Sequence, residues 1–217
     1  MPTPLRLAVL VSGSGPNLQA LLDTVAADPD FGGEVVVVGS DRPAARGLDR
    51  ARAAGIPTVV RPLDAAPDRA TWEAGLRSEL EDHSPDVMVL AGFMRILTGA
   101  FLAGWPDRVV NTHPSLLPAF RGVHAVREAL AYGVKLTGST VHLVDEQVDH
   151  GPIIAQEAVA VLDDDTEDRL HERIKAVEHR LLPATVKLLC HGRLHLDGRR
   201  VRLDPFGTLD PVPQETS

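Results

Sequence analysis

The sequence predicts an α/β fold: a single domain with a mostly parallel central sheet, helices on both faces and an antiparallel C-terminal part. Three features predict it. Apolar or β-branched runs at residues 5–11, 35–38, 87–90 and 109–110 lack polar alternation, as strands covered on both faces do. Helical patterns separate them, so strand and helix alternate to about residue 112, the pattern of consecutive βαβ crossovers. Beyond about residue 138 the runs alternate instead, which suits an antiparallel pair finishing the sheet.

Taken in order, the strand at 5–11 leads to a helix with Leu18, Leu21, Leu22 and Val25 at i, i+3, i+4 and i+7. After the strand at 35–38, Asp41 is a capping candidate for a second helix, with Pro43 in its first turn and Gly55 as its stop. Residues 87–90 and 109–110 add buried strands, and 139–144 and 153–161 form the antiparallel pair. Asp163, Asp164, Asp165, Thr166 and Glu167 place caps and acids where a helix N-terminus favours them. Leu170, Ile174, Val177 and Leu181 then mark one face of the longest helix, with a kink expected at Pro183. Residues 194–203 alternate about Asp197-Gly198, a two-residue hairpin signal. The domain is expected to span residues 1–203. The proline-rich stretch 204–217 has little to bury and is expected to be a flexible tail.

At 217 residues and 44% apolar, the chain can bury one large core. No run approaches the ~20 apolar residues that cross a bilayer, and no signal-peptide pattern opens the chain. The single cysteine, Cys190, cannot pair internally, so a reducing cytoplasm fits. Acidic residues outnumber basic ones 30 to 22, giving a net charge of −8 that disfavours a nucleic-acid partner. A small anion remains acceptable, because backbone amides hold phosphate whatever the net charge.

The first candidate site is the turn Gly13, Ser14, Gly15, Pro16, Asn17, between a strand and a helix. Its glycines allow close backbone approach, and the amides and helix dipole favour an anion. Leu18 occupies the third glycine position of a dinucleotide fingerprint, and no Gly-Lys-Ser/Thr follows, so nicotinamide, flavin and triphosphate sites are disfavoured. A monophosphate cradle and an ordinary tight turn remain. In the second candidate, Asn111 and His113 stand two apart at the end of a strand, so their side chains share a side, and the prolines after them turn the chain away. An amide can meet an oxyanion, and an imidazole can move a proton near neutral pH. The third is the loop carrying Asp145, Glu146 and Asp149. It is either a solvated acidic loop or the source of a carboxylate that orients His113 and raises its pKa; spacing does not choose which one. The nine histidines show no metal-ligand spacing, so no metal is expected.

The strings VLVSGSGPNLQALL, SPDVMVLAGFMRIL, NTHPSLLPAFRGVHAVREAL and GSTVHLVDEQVDHGPIIAQEAVAV, followed by Ala176-Val177-Glu178-His179, resemble the folate-dependent formyltransferase family over roughly residues 5 to 205. The resemblance implies a Rossmann-like formyltransferase domain. It implies transfer of a formyl group from 10-formyltetrahydrofolate, as cosubstrate, to the amine of 5'-phosphoribosylglycinamide in de novo purine synthesis, without metal. It also implies that Asn111, His113 and Asp149 are catalytic, with Asn111 and protonated His113 meeting a tetrahedral oxyanion and Asp149 keeping His113 charged and helping proton transfer, that Gly13 to Asn17 hold the phosphate and that Glu178 receives the ribose hydroxyls. Arg69, Leu90, Phe93, Met94, Arg95, Ile96, Leu97, Leu102, Val144, Asp145 and Glu146 would meet the folate. By pattern alone Leu90 and Leu97 read as core and Arg69 as a solvated helix charge, whereas Arg95, directly after a strand, could grip a carboxylate or a ring edge. Where the family usually has Ser or Thr, this chain has Pro16, which brings neither hydroxyl nor amide hydrogen.

Methionyl-tRNA formyltransferase and formyltetrahydrofolate deformylase share the Asn-x-His core, but each normally carries an additional domain that is not expected here. A different class would be a non-catalytic phosphate- or nucleotide-binding module with a structural His113. Exposed apolar edges could support a homodimer.

Overall fold

The computed structural model describes residues 3–204; the predicted tail lies outside the described residues from position 205. In chain order the elements are β1 (Leu5–Val11), α1 (Pro16–Ala27), β2 (Gly33–Ser40), α2 (Arg46–Ala53), β3 (Thr58–Val60), α3 (Arg69–Glu81), β4 (Val87–Leu90) and α4 (Gly99–Leu102). They continue with β5 (Val109–His113), α5 (Ala125–Tyr132), β6 (Leu136–Leu143), β7 (Ile153–Ala160), α6 (Glu167–Cys190), β8 (Leu194–Asp197) and β9 (Arg200–Leu203). Seven strands form one sheet in the order β3-β2-β1-β4-β5-β6-β7. The pairs from β3 to β5 are parallel, while β6 runs antiparallel to β5 and β7 to β6.

The period-two geometry of a strand explains why β1 lacks polar alternation. Leu7, Val9 and Val11 face a core with Leu18 and Leu21 of α1 and Leu170, Ile174 and Leu181 of α6. Ala8 and Leu10 face the opposite core, with Trp72, Leu76 and Leu80 of α3 and Phe101 of α4. Both faces are dry, and Leu7 through Val11 are fully buried. The longest helix is capped as expected: Thr166 accepts from the Arg169 amide, and Glu167 and Asp168 stand in the first turn. It runs on through Pro183 to Cys190. The β8–β9 hairpin turns at Gly198, with φ of +59°.

One capping expectation fails. The second helix starts at Arg46, behind Ala45, so Pro43 lies ahead of it and Asp41 does not cap it. The Asp41 carboxylate is instead drawn inward by Ser12 and Arg95. The edge strand β3 is three residues long, too short for a periodic signal.

Candidate active site

Strand order reverses between β1 and β4, and such a switch point opens a crevice at the carboxyl ends of the strands. The turn after β1 enters it. Gly15 adopts φ of +66°, and a Cβ there would lie 2.9 Å from Gly47 Cα, so only glycine fits without strain. The Gly47 amide donates to the Gly13 carbonyl at 3.0 Å, and Arg50 Nε donates to the Ser14 carbonyl at 2.8 Å. These bonds pin the turn at the N-terminus of α1. Asn17 is buried there and donates from Nδ2 to Glu178 Oε2 at 3.1 Å, while its Oδ1 has no partner among the described residues. Burial pushes the Glu178 carboxyl above its ordinary value, against hydrogen bonds from Asn17 and Thr112. A buried acceptor and a buried carboxylate thus flank the turn.

Strand alternation divides the end of β5. Val110 faces the α1–α6 core and Val109 faces the α3–α4 core. Asn111 and His113 follow Val109, and Thr112 follows Val110. His113 is 4% exposed; its Nε2 lies 2.8 Å from the Phe120 carbonyl oxygen and its Nδ1 3.3 Å from Asp149 Oδ2. Asp149 Oδ2 also accepts from the Gly122 amide at 2.8 Å, and Asn111 Nδ2 lies 3.5 Å from Oδ1. The three residues that the resemblance singled out therefore meet, although His113 and Asp149 stand 36 positions apart in the chain.

Burial moves the His113 pKa below its ordinary 6.5, although Asp149 and the Phe120 carbonyl pull it upward. This reverses the sequence-based expectation of a raised value. An adjacent anion acts in the expected direction, but desolvation of an almost fully enclosed ring outweighs it. Burial opposes ionisation of Asp149 too, yet His142, His113 and the Gly122 amide together hold that carboxyl below its usual range. Both ring nitrogens of His113 face acceptors, so either neutral tautomer leaves one lone pair opposed to an oxygen. A proton arriving on the ring relieves that mismatch.

A fourth group was not visible in the sequence. His142 on β6, 1% exposed, pairs in register with Asn111, and its Nε2 lies 3.2 Å from Asn111 Nδ2 and 3.7 Å from Asp149 Oδ1. Only the register of β5 on β6 reveals it, and local patterns carry no register.

The segment after β4 forms the other wall. Leu90, Phe93, Leu97 and Leu102 belong to the α3–α4 core, and Val144 packs against it. Met94 and Ile96 are more than half exposed and offer apolar surface. Ser12 Oγ donates to Asp41 Oδ1 at 2.6 Å and accepts from the Met94 amide at 2.8 Å, and Arg95 Nε donates to Asp41 Oδ2 at 2.7 Å. Arg95 thus grips a carboxylate, but one supplied by the chain itself. Arg69 is tied to buried Glu73 at 3.1 Å, and Glu73 also accepts from the Thr98 amide. Asp145 pairs with His150 at 2.6 Å rather than with His113, and Glu146 is exposed. Among the described residues no group of three or more His, Cys, Asp or Glu could hold a metal ion, and no helix is long and apolar enough to cross a membrane.

Residues 5–186 match the formyl transferase family. The chain belongs to that family. The phosphoribosylglycinamide formyltransferase of Mycobacterium tuberculosis (strain ATCC 25618 / H37Rv) is 48% identical over 206 residues, which cover 92% of this chain and 94% of that protein. The crystal structure of glycinamide ribonucleotide transformylase 1 from Symbiobacterium toebii superimposes with a TM-score of 0.90 at 47% identity, covering 94% of this chain and 95% of the other. A formyltetrahydrofolate deformylase from Pseudomonas syringae pv. tomato str. DC3000 superimposes with a TM-score of 0.86 at 27% identity, covering 93% of this chain but 66% of that one. This formyl transferase therefore shares its fold with a protein named as a formyltetrahydrofolate deformylase, while the M. tuberculosis and S. toebii relatives carry formyltransferase and transformylase names.

Proposed function

We propose that this formyl transferase moves the formyl group of 10-formyltetrahydrofolate to the amine of 5'-phosphoribosylglycinamide, a step of de novo purine synthesis. One observation carries the reading: Asn111, His113 and Asp149 converge at the carboxyl end of β5, between the anion-type turn with Glu178 and the apolar segment 90–97. The names of the M. tuberculosis and S. toebii relatives support the same substrate.

The phosphate would rest on the amides of the glycine turn and the positive end of α1, with Pro16 supplying none. Glu178 would accept from the ribose hydroxyls, and the unpartnered Asn17 Oδ1 is a second acceptor beside it. The folate ring would lie along Met94 and Ile96, with Val144, Asp145 and Glu146 at its edge. The amine nitrogen attacks the formyl carbon, and the carbonyl π electrons pass to oxygen. Asn111 Nδ2 donates to that oxyanion. The proton lost by the amine is relayed by water or the Asp149 carboxylate to His113, whose ring nitrogens both face protein oxygens and whose imidazolium then satisfies the Phe120 carbonyl and Asp149. It returns by the same relay to the folate nitrogen as the carbon–nitrogen bond breaks.

The test is an absorbance assay of tetrahydrofolate release with the phosphorylated amine present and then omitted. Release that depends on the amine is expected. Equal rates in both arms would identify a hydrolase, and no release in either would leave only a binding module.

A further inference from the structure

We infer that His142 is a positioning residue for formyl transfer: it fixes which end of the Asn111 carboxamide faces the reacting oxygen. The inference rests on the role proposed above for Asn111.

The Nδ1 atom of His142 lies 2.7 Å from the Leu143 carbonyl oxygen. A carbonyl only accepts, so Nδ1 carries the hydrogen and donates it. In the neutral ring Nε2 is then a lone pair, and of its two polar neighbours, Asn111 Nδ2 at 3.2 Å and Asp149 Oδ1 at 3.7 Å, only the Asn111 amide can donate to it. The tautomer follows from the Leu143 carbonyl, and the amide orientation follows from the tautomer. A carboxamide has two nearly isosteric orientations, with oxygen and nitrogen exchanged. The exchanged form would set Asn111 Oδ1 against the His142 lone pair and against Asp149 Oδ1, two acceptor–acceptor contacts in a site where His142 is 1% exposed.

The two contacts are unequal. Asn111 gives one hydrogen to His142 at 3.2 Å and turns the other toward Asp149 across 3.5 Å, the longest hydrogen bond of the cluster. The second hydrogen is the one that a growing oxyanion can take. His142 thus holds one N–H so that the other is presented. It touches neither substrate in this arrangement, and its effect passes through Asn111.

A mutant cycle tests this. His142→Leu removes the acceptor and keeps the site filled, and His142→Gln replaces the acceptor with Oε1. His142→Leu is expected to lower kcat about tenfold or more, approaching the effect of losing an oxyanion donor, with both KM values within about threefold and with most activity restored in His142→Gln. In an Asn111→Ala background the further loss from His142→Leu should shrink to less than about threefold. The same factor in both backgrounds would overturn the inference, because a merely structural histidine costs equally with or without Asn111. If Asn111→Ala leaves kcat unchanged, the role of Asn111 falls and the inference falls with it. A strong Asn111→Ala effect without coupling sinks the inference alone. Should the variants not fold, ¹⁵N NMR of the unaltered protein decides: His142 must carry its proton on Nδ1 and show a hydrogen-bond coupling from Nε2 to Asn111 Nδ2. A proton on Nε2 would overturn it.

Discussion

Replacing Asp149 with asparagine separates the charge of the carboxylate from its shape. Asp149 sits at φ of +47°, a left-handed conformation that Asn tolerates nearly as well as Asp, whereas Ala would add backbone strain. The asparagine Oδ1 can still accept from the Gly122 amide, so the loop keeps its anchor. What disappears is a negative charge 3.3 Å from His113 Nδ1, between side chains only 12% and 6% exposed. At an effective dielectric of about 20, unit charges at that distance attract by about 5 kcal/mol. The amide dipole recovers part of this, leaving about 2–4 kcal/mol, or a fall in kcat of about 30- to 1000-fold at ~1.4 kcal/mol per decade. The loss falls on kcat because the imidazolium forms only as the amine proton departs. Steady-state kinetics should show a nearly unchanged KM for the phosphorylated amine, with circular dichroism confirming the fold. A kcat within threefold of the unaltered enzyme would refute the charge argument, and a KM-dominated loss would make Asp149 a binding group.

Two further outcomes concern the His113–Asp149 pair and the Arg95–Asp41 pair. By NMR, His113 should titrate below 6.5 in the ligand-free protein and lower still in Asp149→Asn, since burial depresses it and Asp149 is the main opposing influence; titration above 6.5 would contradict this. The folded state then binds fewer protons than the unfolded chain, so His113 withdraws stability as pH falls from 6.5 toward its folded pKa, and depressed Asp149 withdraws more as pH falls below its ordinary 3.8. Arg95→Ala would leave the fully buried Asp41 side chain without its 2.7 Å ion pair, keeping only Ser12 and a 3.8 Å approach by Arg42. Breaking a buried pair on one side costs about 3 kcal/mol. Urea denaturation measures it, and a loss under about 1 kcal/mol would show that Ser12 and Arg42 carry Asp41 without Arg95.

The legible parts of this molecule were those encoded within a few neighbouring residues. Residues 5–11 and 87–90 announced doubly covered strands because both of their faces are apolar, and Asp197-Gly198 announced a hairpin because its turn needs a positive φ. Asn111 and His113 were legible as a pair because strand geometry alone puts them on one side. Asp149 was picked from three loop carboxylates only by the family resemblance, and its contact with His113 depends on how the 144–152 loop folds back onto β5. His142 and the Asp41–Arg95 pair depend on strand register and on the approach of separate loops, neither of which leaves a local trace. The sign of the His113 shift was missed for a similar reason. A nearby anion can be guessed from sequence, but the degree of enclosure that outweighs it cannot.

The alternation at the end of β5 makes that strand a partition one backbone thick. Asn111 and His113 look into one compartment, and Thr112, 3.3 Å from Ser139 and on the side of Glu178, looks into the other. In the proposed reaction the two reactants come together only at the rim of that wall. A single inhibitor that mimics both would have to be hinged, with its bend at the migrating carbon. Inserting one residue ahead of Asn111 would turn Asn111 and His113 to the Glu178 side of the strand and part them from Asp149 and His142.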